Sequence, residues 1–220
     1  MDFNTGAGGT GSSGGPPPGS GGSPQGAQSP AAAEFRYSDP VQTFISTVRS
    51  VVTTPAAFFG GILRQGDFIN PLIFAIICYE VSAIIGGLLR LVGVGTDMGF
   101  GGYLVSIILA PIFAAIGLFI GAGILHLLVM LIVGSRNAGF EGTFRVAAYS
   151  SVTSLVSWLP FIGWIASLYG IYLAIVGIRE VHTTTTGKAA LVVLIPAAVV
   201  LVLILILIAA GMALFFSLQQ

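Results

Sequence analysis

The chain has very little charge. Only 7% of its 220 residues are Asp, Glu, Lys or Arg, whereas 55% are apolar. In soluble domains about a quarter of residues are charged. A chain of this length cannot bury so many apolar side chains in one water-soluble core, so the composition predicts an all-α integral membrane protein. The net charge is +0 and no basic block occurs, which argues against a nucleic-acid partner.

Cysteine and histidine are also scarce. The single Cys78 excludes a disulfide framework and a cysteine-rich metal site. His126 and His182 lie on different segments without a carboxylate at helical spacing, so no metal site is predicted, and His182 is expected to be solvated in a loop. No arrangement of Ser, His and Asp or of Cys and His suggests a catalytic site. We therefore expect neither an enzyme nor a cofactor.

The N-terminal part is polar and precedes the long apolar runs. Residues 1–35 are rich in Gly, Ser, Pro and Gln and predict a disordered cytoplasmic tail. Residues 39–66 begin with Asp39 and Pro40, a typical helix start, and continue with apolar residues at helical spacing. This segment is too polar to span, so it predicts an amphipathic helix in the membrane interface; the alternative is that its apolar face packs on the helix bundle. The expected membrane-surface contacts are Phe44, Val48, Phe58 and Phe59.

Five apolar segments within residues 67–217 are predicted to cross the membrane, because a span needs about 20 apolar residues. Their bounds are 71–91, 103–133, 144–159, 162–178 and 189–216, and the third is short. The third and fourth segments form a hairpin that turns at residues 160–163. If the N-terminus is inside, Arg90 is the one basic residue of eight that lies outside, so the charge distribution predicts a cytoplasmic N-terminus and an outer C-terminus.

Several short motifs occur along this apolar part of the chain. Phe58 and Phe59 follow Pro55 after the amphipathic segment. An acidic residue precedes the first span in the stretch DFINPLIF, which contains Asp67, Pro71, Leu72 and Phe74. Residues 177–189 lead from the fourth span through a polar stretch to the fifth and include Lys188. Tyr149 stands in the third span.

Together these motifs resemble the YIP1 family of five-span membrane proteins, which carry a Yip1 domain, over about residues 44–216. Asn70 stands where the family has Gly, and Tyr149 follows Ala148 rather than Gly. The resemblance implies a role in membrane organisation or trafficking. The expected location is the Golgi or ER for a eukaryotic member and the cell membrane for a prokaryotic member, and we favour a prokaryotic member. The resemblance thereby predicts a non-enzymatic scaffold or adaptor whose partners are the lipid bilayer and a membrane or cytoplasmic protein. A homo-oligomer is the alternative assembly.

Two polar residues inside the spans support a rival hypothesis. Glu80 lies well inside the first span and His126 in the second, at similar distances from the inner end. A carboxylate within a membrane is costly unless it is paired, protonated or hydrated, so we predict a Glu80–His126 pair. The pair would either fix the helix register or serve a small proton- or ion-linked transporter or channel subunit.

Small and hydroxylated residues within the predicted spans are candidates for contacts between helices. Gly117 and Gly121 form a GxxxG pattern, which predicts close helix packing inside the bundle or, alternatively, a homodimer face. The third span carries many hydroxyl groups. They predict hydrogen bonds between helices or, alternatively, a polar cavity.

Overall fold

The structure, a computed structural model, describes residues 34–91 and 99–219. Most of the predicted tail, residues 1–33, lies outside these ranges, as do residues 92–98. Within them the chain is helical and contains no strand. The helices are α1 Pro40–Thr53, α2 Pro55–Gly61, α3 Ile69–Leu91, α4 Gly99–Leu128, α5 Gly139–Ser150, α6 Ile162–Val181 and α7 Thr186–Ser217. A π-helical turn, Val129–Val133, extends α4, and a 3₁₀ helix, Ser151–Val156, continues α5.

Four of these helical segments are long and apolar enough to cross a membrane. Among the described residues they are Ile69–Leu89, Gly99–Val133, Ile162–Val181 and Thr186–Ser217. They correspond to four of the five predicted spans, with bounds that differ by a few residues. The predicted third span at 144–159 is not among them, because its α-helix ends at Ser150.

Hydroxyl side chains explain why α5 gives way to a 3₁₀ helix. Ser151 Oγ donates to the carbonyl of Ala148 at 2.6 Å, and Thr153 Oγ1 donates to that of Ser150 at 3.2 Å. Such local bonds compete with the regular helical ladder and favour a tighter turn. The predicted reversal follows at residues 157–161, where the Ile162 N–H donates to the Pro160 carbonyl at 2.7 Å across Phe161, whose φ is 64°. This geometry is a γ-turn, which reverses the chain within three residues.

Burial is concentrated in one half of the bundle. The buried apolar residues fall within residues 35–78, 118–152 and 166–193. The other half exposes long runs of Leu, Ile, Val and Phe, most completely along α7 beyond Leu194. Water would not tolerate so large an apolar surface, so lipid must cover this half.

The first two helices pack on the buried half of the bundle. At the start of α1, the N–H of Tyr37 donates to Asn70 Oδ1 at 2.9 Å, close to the beginning of α3. At its end, Tyr169 Oη on α6 donates to the Val52 carbonyl at 2.7 Å. The chain then turns at Thr54, and Pro55 opens α2 with a backbone conformation that suits the first turn of a helix. α2 packs against α6.

This arrangement corrects several expectations. Phe58 and Phe59 are 2% and 1% exposed and lie in the core, so they are not surface contacts. Phe44 and Val48 are half-buried against the same core, which supports the alternative that this face packs on the bundle. Phe35, assigned to the tail by its composition, is 1% exposed and is held between other aromatic rings. The exposed apolar residues of α1 are instead Val41, Ile45 and Val52.

Close helix contacts depend on glycines other than the predicted pair. A Cβ atom built on Gly117 or Gly121 would have no neighbour within 4 Å, so neither packs inside the bundle as predicted. A Cβ on Gly87 would overlap the ring of Tyr103, whose hydroxyl donates to the Ile84 carbonyl at 2.9 Å. A Cβ on Gly177 would lie 2.5 Å from Val146 Cγ1. The tight contacts are therefore α3 with α4 and α5 with α6.

We expect Gly177→Ala to lower the free energy of unfolding by about 1–3 kcal/mol, because the new methyl group overlaps Val146 in a packed core. Gly117→Ala is the matched control and should leave stability unchanged or raise it by up to about 1 kcal/mol, since alanine favours a helix and meets no neighbour. Chemical unfolding in mixed detergent micelles measures both. Equal effects of the two substitutions would contradict the packing described for α5 and α6.

Candidate functional site

A buried arginine on α5 organises the polar side chains in the buried half of the bundle, which we call the compact half. The side chain of Arg145 is 1% exposed, and its Nη1 donates to Glu34 Oε2 at 2.6 Å. The same carboxylate oxygen accepts from the hydroxyl of Tyr149 at 3.0 Å. The other oxygen of Glu34 accepts from the backbone N–H of Leu63 at 2.6 Å. Both oxygens of this buried carboxylate are therefore satisfied.

The remaining donors of Arg145 hold two more segments. Its Nε and Nη2 donate to Glu141 Oε1, one helical turn earlier, at 3.1 and 2.9 Å. Nη2 also donates to the backbone carbonyl of Asp67 at 2.8 Å. The side chain of Asp67 accepts from the N–H of Asn70 at 2.8 Å and so begins α3. One guanidinium thus joins the chain before α1, the loop before α3 and the first turn of α5.

Half of the eight family-motif residues lie at this site, namely Asp67, Tyr149, Phe58 and Phe74. The ring of Tyr149 lies 5.1 Å from that of Phe58 and 5.3 Å from that of Phe74, measured between centroids. Pro55 and Pro71 are buried at the starts of their helices, and Leu72 packs against a separate group of buried residues that includes Leu118 and Phe144. Lys188 is elsewhere: it is exposed in the first turn of α7, where its N–H donates to the capping Thr185 Oγ1 at 3.4 Å.

A second polar group joins the buried His182 to the half-buried His126. The N–H of Ala138 donates to His182 Nδ1 at 3.1 Å, so the ring proton of neutral His182 is on Nε2. That nitrogen lies 3.1 Å from Thr143 Oγ1, which in turn lies 2.9 Å from His126 Nδ1. The Nε2–H of His182 therefore donates to Thr143 Oγ1, and Thr143 joins the two histidines. His182 is 1% exposed, which corrects the prediction that it is solvated.

The structure does not bring the predicted Glu80–His126 pair together. Within the described ranges no hydrogen bond or ion pair joins the two side chains, and His126 Nδ1 is bonded to Thr143 instead. One carboxylate oxygen of Glu80 is buried without a partner. The transport hypothesis thereby loses the contact on which it depended. Nor do any three His, Cys, Asp or Glu residues of the described chain lie in a group that could hold a metal ion.

Sequence reasoning missed the central contacts for different reasons. Glu141 and Arg145 stand four residues apart on one helix, so their ion pair was available from spacing alone. Arg145 was counted instead among the basic residues of the inner side. Glu34 is separated from Arg145 by 111 residues, and no local pattern predicts such a contact.

Comparison with known protein families gives a match. The Yip1 domain, as a family, matches residues 49–208, which is well over half of the 220 residues. The matched range includes Arg145 and the two histidines joined by Thr143, but it begins after Glu34. No curated protein and no solved structure matches the chain.

We expect Arg145→Met to lower the free energy of unfolding by about 3–5 kcal/mol, because it leaves the buried carboxylate of Glu34 without its counter-charge. Arg179→Met is the matched control. Arg179 also lies 2.6 Å from a carboxylate, that of Glu180, but both side chains are about a third exposed. Its loss should cost less than about 1 kcal/mol. Unfolding in detergent micelles measures both variants.

A double variant makes this test specific for the ion pair. Adding Glu34→Gln to Arg145→Met removes both charges, so the combined loss should be smaller than the sum of the two single losses. Strictly additive losses would show that Arg145 and Glu34 do not stabilise each other.

The burial of His182 predicts that the stability of the protein depends on pH. Burial lowers the pKa of His182 from 6.5 to about 4, with smaller contributions from the neighbouring His126 and Arg64. The folded state therefore binds fewer protons than the unfolded state between these values. The contribution of neutral His182 to the free energy of unfolding is therefore complete above pH 6.5. It is lost as the pH falls towards 4, by at most about 1.4 kcal/mol per pH unit.

Thermal unfolding of the protein and of His182→Gln at pH 7 and pH 5 measures this contribution. Glutamine keeps an acceptor for the Ala138 N–H but does not titrate. The unfolding temperature of the variant should fall less between the two pH values than that of the unchanged protein. An equal fall would mean that His182 is not the group responsible.

Proposed function

Because this chain belongs to the Yip1 domain family, we propose that it is a non-enzymatic membrane scaffold or adaptor that acts through lipid and protein contacts in membrane organisation or trafficking. Its four candidate spans make it an integral membrane protein. The observation that carries the proposal is the exposed apolar edge of α1, formed by Val41, Ile45 and Val52.

Contacts on the opposite side of the helix hold this edge in place. Thr43 and Thr47 are 4% and 0% exposed, and Thr43 Oγ1 accepts from the N–H of Arg36 at 3.0 Å. Val51 is fully buried. With that side fixed, Val41 and Ile45 remain 72% and 62% exposed. A helix that presents these apolar residues beside the exposed Arg49 suits contact with an anionic membrane surface or a membrane-bound partner.

We also propose that α5 and its 3₁₀ continuation form a fifth crossing, with the N-terminus in the cytoplasm and the C-terminus outside. Twelve α-helical residues and six 3₁₀ residues rise by about 30 Å in total, which is about the thickness of the hydrocarbon layer. Two candidate spans precede this segment and two follow it. The basic residues have the predicted distribution between the two sides of the membrane only if the segment crosses. A cell membrane is the favoured location for a prokaryotic member.

The exposed edge of α1 can be tested without disturbing the fold. We expect the double variant Val41→Gln and Ile45→Gln to keep its unfolding temperature, because neither side chain is buried. It should lose its cross-linked protein partner in a mild-detergent pull-down from native membranes, identified by mass spectrometry.

Thr53→Ala serves as the control on the same helix. Its hydroxyl donates to the Arg49 carbonyl at 2.8 Å, so the substitution removes an exposed group outside the apolar edge. The control should recover the same partner as the unchanged protein. If the double variant also recovers it in full, α1 is not the surface through which the protein acts.

A further inference from the structure

A cavity of about 630 Å³ lies between α3, the end of α5, the 3₁₀ helix, α6 and the first part of α7. Its walls carry an unusual number of hydroxyl groups, among them those of Ser82, Ser150, Thr153, Ser154, Ser157 and Ser167. The remaining lining residues include alanine, valine and isoleucine, and no charged residue is among them. The sequence left open whether these hydroxyls join helices or line a cavity, and they do both.

Two of the hydroxyls are left for a ligand. Ser150 Oγ and Ser154 Oγ are buried and have no hydrogen-bond partner among the described residues. Other hydroxyls around them are satisfied: Ser82 and Ser157 bond each other at 2.9 Å, and Ser167 donates to the Gly163 carbonyl at 2.8 Å. A buried hydroxyl without a partner is unfavourable, so two in one cavity indicate that a further polar group belongs there.

The lining restricts the chemistry of that group. Among the described residues that line the cavity, a phosphate or carboxylate finds no cation and an ammonium group finds no carboxylate, so a charged ligand is disfavoured. Serine hydroxyls both donate and accept, which suits hydroxyl and ester groups. The volume lies within the range of small-molecule sites and exceeds what one or two ordered waters need.

The position of the cavity indicates where such a group would come from. On α3 it begins at Tyr79, the residue after the fully buried Cys78. On α7 it includes Val193, which is 6% exposed, whereas Leu194 is 46% exposed. The cavity therefore lies where the compact half meets the half that lipid covers, so a molecule can reach it from within the bilayer.

We propose that this cavity binds the uncharged glycerol region of a neutral lipid. The hydroxyl and ester oxygens of the lipid bond to Ser150 and Ser154, and its acyl chains extend along the apolar half of the bundle. The site is distinct from the α1 edge, so it stands or falls independently of the scaffold function.

The test uses the purified full chain, freed of bound lipid in detergent and examined by native mass spectrometry. The probes are dioleoylglycerol, free glycerol and the anionic dioleoylphosphatidylglycerol. We expect saturable binding of dioleoylglycerol and weaker binding of the other two. The double variant Ser150→Ala and Ser154→Ala should bind dioleoylglycerol about tenfold more weakly, as expected for two lost hydrogen bonds.

The double variant should keep its unfolding temperature, because the two hydroxyls have no protein partner to lose. Ser106→Ala is the matched control: its hydroxyl donates to the Tyr103 carbonyl at 2.8 Å, outside the cavity, and the variant should bind as the unchanged protein does. Ala83→Leu, which places a larger side chain in the cavity wall, should also weaken binding.

Three results would overturn the proposal. Equal binding of dioleoylglycerol by the protein and the double variant would place the lipid elsewhere. Equal binding of the anionic lipid would contradict an uncharged ligand. Binding of free glycerol without dioleoylglycerol would overturn the lipid source.

Discussion

The burial of one arginine constrains the whole compact half of this protein. A guanidinium removed from water needs counter-charges and acceptors for its donors, or the folded state loses several kcal/mol. Arg145 finds them in Glu34, Glu141 and the Asp67 carbonyl, which come from three different parts of the chain. The contact with Glu34 brings the segment before α1 against α5, and this in turn places α1 and α2 along the bundle.

Two kinds of environment meet within each long helix. The compact half uses aromatic rings, buried hydrogen bonds and glycine contacts, whereas the other half presents apolar side chains that need only lipid. The serine-rich segment after α5 lies between them, and its local hydrogen bonds tighten it into a 3₁₀ helix. The hydroxyl-lined cavity occurs at this junction because a tighter, hydroxylated segment cannot fill the space that a regular apolar helix would fill.

Local patterns predicted much of the architecture but few of its contacts. The start of α1 followed from Pro40, and four spans followed from long apolar runs. Spacing alone suggested that Gly117 and Gly121 pack inside the bundle and that Glu80 pairs with His126, and neither contact forms. Helical spacing identifies which residues share a face, but it does not identify the helix that the face meets.

By itself, the sequence determined that the chain is helical and embedded in a membrane, and its short motifs indicated the Yip1 family, since composition and apolar run length decide the solvent of a helix. Only the tertiary structure decided that Glu34 meets Arg145 across 111 residues, that Thr143 links two histidines, and that Ser150 and Ser154 face a cavity. Such contacts depend on how helices are arranged in three dimensions, and the energies that select one arrangement are spread over many distant residues.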